Sequence, residues 1–113
     1  MCSQSEVYAI VSQLQDSLSA IFPHDHFDAI LFGSYARGDA SGESDIDVMF
    51  LVDSSRQTIA DRHWQIGEAA AQMLLSHGIV VSPIVENRAY YQKNANLLPF
   101  FKNVAREGVL IGA

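Results

Sequence analysis

The chain reads as an α/β protein of the α+β kind, a small mixed β-sheet backed by helices, in one domain over residues 1–113. Three observations lead there. Two apolar runs, Asp28 to Phe32 and Asp45 to Val52, flank a short polar stretch that opens on Gly33-Ser34. Segments with helical spacing of apolar residues lie before the first run and after the second. A third, β-branched run, Ile79 to Val85, follows the second helical segment. The resulting order, αβ(α)βαβα, predicts a sheet with its helices on one side.

Each element has its own signal. Ser3-x-x-Glu6 has the form of a capping box, and Val7, Ile10, Val11, Leu14, Leu18 and Ile21 keep helical spacing behind it. A first helix from Ser5 to Ile21 follows, stopped by Pro23 and a polar connection through His24-Asp25-His26. Gly33 breaks the first strand, Ser34 is the N-cap of a single turn of helix, and Gly38 ends that turn. Asp53-Ser54-Ser55 starts a long helix whose inner face is Ile59, His63, Ile66, Ala70, Met73 and His77, and Gly78 ends it. Glu86-Asn87-Arg88 begins a short helical stretch through Tyr91. Asn96 caps a last helix with Pro99 in its first turn. Gly108 ends that helix, and Val109-Leu110-Ile111 pack as a short tail.

The chemistry concentrates between the first two strands. A glycine at position 33 lets the backbone approach a ligand closely, and free N–H groups at the start of a turn suit phosphate. Asp45 and Asp47 stand two apart, so on a strand they share a face. Two such carboxylates repel, and a divalent cation with oxygen ligands relieves the repulsion. Arg37 lies inside the phosphate turn, where it reaches a phosphate oxygen or pairs with Asp39; the phosphate is preferred.

Gly33-Ser34, ten intervening residues and then Asp45-x-Asp47 resemble the signature of the DNA-polymerase-β-like nucleotidyltransferases. The inner text, Gly-Ser-Tyr-Ala-Arg-Gly-Asp followed by Ser-Asp-Ile-Asp-Val, is similar to the minimal nucleotidyltransferases of bacteria and archaea. The resemblance implies a polymerase-β-like core and transfer of a nucleotidyl group from ATP or another NTP to a hydroxyl. It implies Gly33, Ser34, Arg37 and Ser44 as nucleotide-binding residues. Asp45 and Asp47 are then the catalytic metal ligands, for two Mg2+ ions with the bound NTP. Relatives of full catalytic power carry a third acid on the strand placed here at Ile79 to Val85. Ser82 stands in its position, followed by Pro83. Glu86, on the same strand face, is a distant substitute; a surface acid opening the next helix is the preferred reading.

Larger relatives add a helical domain that holds the acceptor, and 113 residues leave no room for one. Minimal members often pair with a HEPN-type protein as antitoxin, adding AMP to it or blocking it by binding alone. The resemblance carries both possibilities, with modification of a small antibiotic behind them.

Composition sets outer limits. Seven basic residues against thirteen acidic ones give a net charge of −6, which argues against an extended nucleic-acid interface. No apolar run approaches the ~20 residues of a membrane span, and no signal-peptide pattern opens the chain. Cys2, the single cysteine, has no internal disulfide partner, so a reducing cytoplasm is the expected location. The remaining candidates read as structural. His24 and His26 lack a third metal ligand, His63 and His77 read as core or helix-end residues, and Trp64 as core or edge packing. Tyr90 and Tyr91 read as helix-packing aromatics, and Lys102 and Arg106 as a solvated face.

Overall fold

The structure, a computed structural model, describes residues 2–111. Helix α1 (Gln4–Ile21) opens on its capping box: the Ser3 hydroxyl accepts from the Glu6 N–H at 3.2 Å, and the Glu6 carboxylate accepts from the Ser3 N–H at 3.0 Å. Strand β1 (Asp28–Phe32) leads into the single turn α2 (Ser34–Arg37), and β2 (Ile46–Val52) follows the polar loop. Helices α3 (Arg56–Asp61) and α4 (His63–His77) connect to β3 (Val81–Asn87). Helices α5 (Arg88–Asn94) and α6 (Pro99–Glu107) precede β4 (Val109–Ile111).

The strands lie in the order β3-β2-β1-β4, with β1 antiparallel to β2 and β4 and β2 parallel to β3. A parallel pair needs a crossover, which α3 and α4 provide. Helices cover both faces of this mixed sheet, not one. Ile46, Val48 and Phe50 of β2 pack with Val7, Leu14 and Leu18 of α1 and with Ile66 and Met73 of α4. Met49 and Leu51 point the other way, onto Tyr91 of α5 and Phe101 and Val104 of α6. The apolar run of β2 lacks period-two alternation because neither face meets water.

Five local expectations change. Gly33, not Ser34, is the N-cap of α2, with φ 74° and ψ −156°, a conformation that excludes side chains; Ser34 is the first helical residue. The long helix breaks at Arg62, whose guanidinium donates to the Ile21 carbonyl at 2.6 Å and so satisfies an open C-terminal group of α1. The break resets the helical phase, so α4 buries Ile66, Ala69 and Met73 while His63, His77 and Trp64 face solvent, Trp64 at 83% exposure.

The third strand starts and ends two residues late, at Val81 and Asn87, because it follows the parallel register set by Ile46 and Val52. Helix α6 is capped by Leu98 rather than Asn96: the N–H groups of Leu97 and Leu98 close on the Asn94 carbonyl and leave Pro99 at the first helical position, where its missing donor costs nothing. The Val109–Ile111 segment is a strand, not a tail. It pairs Val109 with Leu31 and Ile111 with Ala29.

Glu86 is no surface acid. It is 7% exposed, and its carboxylate accepts from Arg56 Nε at 3.1 Å and from the Asn87 N–H at 2.8 Å. The Arg56 guanidinium lies 3.8 Å above the Tyr90 ring, so this corner is a packed ion pair that seats α5. Tyr91 packs edge-on against Phe101, and Lys102 and Arg106 are exposed, as expected.

Candidate active site

The acids and the turn meet at one end of the sheet. Phe32, the last residue of β1, pairs with Asp47 of β2, so the chain leaves β1 directly beside the Asp47 carboxylate. A β-carbon at Gly33 would overlap that carboxylate, with the Asp47 Cγ 3.1 Å away. Glycine is therefore required twice here, once for its positive φ and once for the room it leaves.

The turn itself is closed by backbone. The Ala36 and Arg37 N–H groups donate to the Gly33 carbonyl at 3.1 and 3.0 Å, and those of Gly38 and Asp39 to the Ser34 carbonyl at 3.0 and 3.1 Å. The Ser34 and Tyr35 N–H groups, at the opening of α2, have no acceptor within it. Gly38 closes the turn at φ 83°. Ser44 organises the loop that follows: its hydroxyl accepts from the Ser41 N–H at 2.8 Å, and its own N–H donates to the Ser41 carbonyl at 3.1 Å. That loop delivers Asp45, exposed, one residue before β2 begins.

Arg37 meets Asp39, one of the two partners expected for it, and Glu107, which was not expected. Its Nε donates to Asp39 at 3.2 Å, and its NH1 to Glu107 at 3.4 Å. Hydrogen bonding to Asp39 and that residue's charge hold the guanidinium pKa above its usual value. The Arg37–Asp39 pair is half-exposed, so it holds the side chain only loosely and leaves it able to turn to another anion.

Glu107, the last residue of α6, is an unpredicted member of this end. Its Oε1 also accepts from the Gly33 N–H, at 3.2 Å. Its sequence signal is thin, an acid one residue ahead of the glycine after a helix. Burial pushes the Asp47 acid up, the Asp45 charge adds to that, Arg37 opposes it, and Glu107 raises it further. Asp47 is thus a carboxylate that gains from a cation.

The donor chemistry suits a hard divalent ion. Among the described residues no third His, Cys, Asp or Glu forms a group able to hold a metal by itself. Mg2+ commonly binds through one or two carboxylates, with substrate phosphates and water completing its shell. Asp45 and Asp47 match that two-carboxylate set, with the turn from Gly33 to Gly38 alongside.

Ser82 of β3 stands next to Asp47 in the parallel register. Glu86 lies four residues further along that strand, about 13 Å at the usual rise, beside Leu51 and already paired with Arg56. It takes no part in this end of the sheet. A cleft of about 370 Å3 lies behind α2, lined by Tyr35, Ala36, Gly38, Val7, Tyr8 and Val109 among others, and none of the acids lines it. No described helix is long and apolar enough to cross a membrane.

A family model described as a nucleotidyltransferase domain matches residues 11–104. Three proteins of Methanocaldococcus jannaschii, each named "Putative protein adenylyltransferase", are similar to the chain. One is 39% identical over 79 residues, covering 70% of this chain and 71% of its own length. Another is 36% identical over 80 residues, covering 71% and 79%. The third is 37% identical over 78 residues, covering 68% of this chain and 53% of its own length. No solved structure matches the chain at a significant level.

Proposed function

Because this chain belongs to the nucleotidyltransferase domain family, we propose that it transfers AMP from ATP, with Mg2+, to a hydroxyl on a protein partner. One observation carries the reading. Gly33 lies so close against Asp47 that the phosphate turn and the metal-binding acids form a single surface. The names of the relatives support a protein acceptor and an adenylyl group.

In this reading the Ser34 hydroxyl and the open N–H groups of the turn hold the distal phosphates, and Arg37 turns from Asp39 toward a phosphate oxygen. Ser44 keeps the loop in shape so that Asp45 faces Asp47. Asp45 and Asp47 hold the divalent ions, which when bound supply neutralisation of the triphosphate charge. The acceptor hydroxyl attacks the α-phosphorus in line. A new phosphorus–oxygen bond forms, the α–β phosphoanhydride bond breaks, and pyrophosphate leaves. The hydroxyl proton goes to solvent or to a base on the partner, because a serine at position 82 is a poor base.

The partner we infer is a HEPN-type toxin, with this chain as its antitoxin in the cytoplasm. The net charge of −6 suits a basic partner surface and not a nucleic acid. A second reading, neutralisation by binding alone, is favoured by the serine beside Asp47. Incubation with α-labelled ATP and Mg2+, with and without the genomic neighbour, separates the two. Label on the partner that depends on Ser34, Asp45 and Asp47 supports transfer. A tight complex without label supports binding alone, and neither outcome with any neighbour sinks the protein-partner reading.

A further inference from the structure

Glu107 holds Arg37, which a phosphate would use, and the N–H of the glycine that opens the phosphate turn. Its Oε1 takes the Gly33 N–H at 3.2 Å and the Arg37 NH1 at 3.4 Å. The backbone carrying it is anchored on both sides. Phe101 and Val104 of α6 are buried, and β4, which begins two residues later, pairs with β1. Only the side chain is free to swing, and at 23% exposure it has an open path to solvent.

Its position rules out the role of the missing third acid. Ser82 flanks Asp47 on the β3 side, whereas Gly33 and Glu107 lie on the β1 side, and β2 separates β3 from β1. Glu107 therefore belongs to the phosphate end and not to the acceptor end. Among the described residues around the turn, Asp39 and Glu107 pair with Arg37, and Asp47 lies within reach of the charges of Arg37, Asp45 and Glu107, so four carboxylates crowd this end. A bare polyphosphate meets net repulsion there. Phosphate arriving with a divalent cation meets Asp45 and Asp47 as ligands and has Glu107 and the loose Arg37–Asp39 pair to displace.

We propose that Glu107 is a specificity-determining residue: its carboxylate holds Arg37 and the Gly33 N–H at the edge of the phosphate seat and makes the turn refuse phosphate that comes without a divalent cation. The inference rests on the nucleotide reading above and adds a gate to it.

The test compares wild type with Glu107→Gln, which keeps an acceptor for the Gly33 N–H and removes the charge. Inorganic tripolyphosphate and ATP are titrated with chelator and with Mg2+, by calorimetry and by the Gly33 amide resonance. Glu107→Gln should bind metal-free tripolyphosphate about tenfold more tightly than wild type, while Mg2+–ATP affinity changes less than about threefold. The wild-type Gly33 amide should stay in place with metal-free tripolyphosphate and shift with Mg2+–ATP.

Equal metal-free affinities, with Mg2+–ATP still bound by wild type, overturn the gate and leave the nucleotide reading standing. Binding of neither ligand under any condition overturns both. Should Glu107→Gln melt early, Glu107→Ala provides the same contrast between metal-free and metal-bound phosphate. A purely structural role for Glu107 would weaken both forms together, and that result also counts against the gate.

Discussion

Ser82 stands directly beside Asp47, one strand over, in the parallel register that joins β3 to β2. A carboxylate at position 82 would share the face of Asp47, which is where a base for an acceptor hydroxyl is useful. Ser82→Asp should therefore raise the rate of AMP transfer to the partner, toward the ~10²–10⁴-fold typical of a general base. The rate of label incorporation at saturating Mg2+–ATP measures it. No gain over wild type would mean that the partner already brings the base.

Asp45 and Asp47 should set the metal dependence of nucleotide binding. Wild type should bind Mg2+–ATP at least about tenfold more tightly than ATP with chelator, a difference of about 1.4 kcal/mol. In the double variant Asp45→Asn, Asp47→Asn that difference should vanish. Calorimetry under the four conditions decides, and one affinity throughout would sink the metal assignment.

The stability of the metal-free protein should depend on Asp47 with a definite sign. Burial and the Asp45 charge raise its folded pKa above the unfolded value. A raised carboxylate lowers stability when ionised, so the penalty is present above the folded pKa and fades as pH falls toward the ordinary aspartate value of about 3.9. Asp47→Asn should melt higher than wild type at neutral pH, and the two should converge in the acid range. Mg2+ should narrow the neutral gap by stabilising wild type alone. A lower melting point for the variant at pH 7 would instead mark Asp47 as a structural hydrogen-bond acceptor.

Gly33→Ala should damage fold and site together. The new side chain meets a strained φ of 74° and overlaps the Asp47 carboxylate. A loss of about 1–3 kcal/mol in denaturant unfolding is expected from the backbone alone. Mg2+–ATP affinity should fall by at least about tenfold as Asp47 is displaced. A variant with normal stability and normal binding would show that the close approach has no function.

Arg56→Ala should separate the Glu86 corner from the site. Removing the guanidinium leaves a carboxylate of 7% exposure with only the Asn87 N–H at 2.8 Å. Stability should drop by about 1–3 kcal/mol, while Mg2+–ATP affinity stays as in wild type. A change in nucleotide affinity would tie the Glu86 corner to the site.

Much of this was readable along the chain because it is local. The capping box at Ser3 and Glu6, the stripe from Val7 to Leu18 and the left-handed Gly38 are settled within one or two turns of backbone. The spacing from Gly33-Ser34 to Asp45-x-Asp47 also sits inside one strand–turn–strand unit, so its text carries its geometry. Other features depend on what lies opposite. Helix α4 starts afresh after the break at Arg62, whose guanidinium meets the distant Ile21 carbonyl, and in that phase Trp64 faces solvent. Val109–Ile111 became a strand only because β1 offered a free edge. Glu107 reached Gly33 across 74 residues because α6 packs over the second face of the sheet, a face shown by the unbroken apolar run of β2 but not assigned to any helix. Local hydrogen bonding and periodicity made the motif legible; burial between distant segments decided which charges surround it.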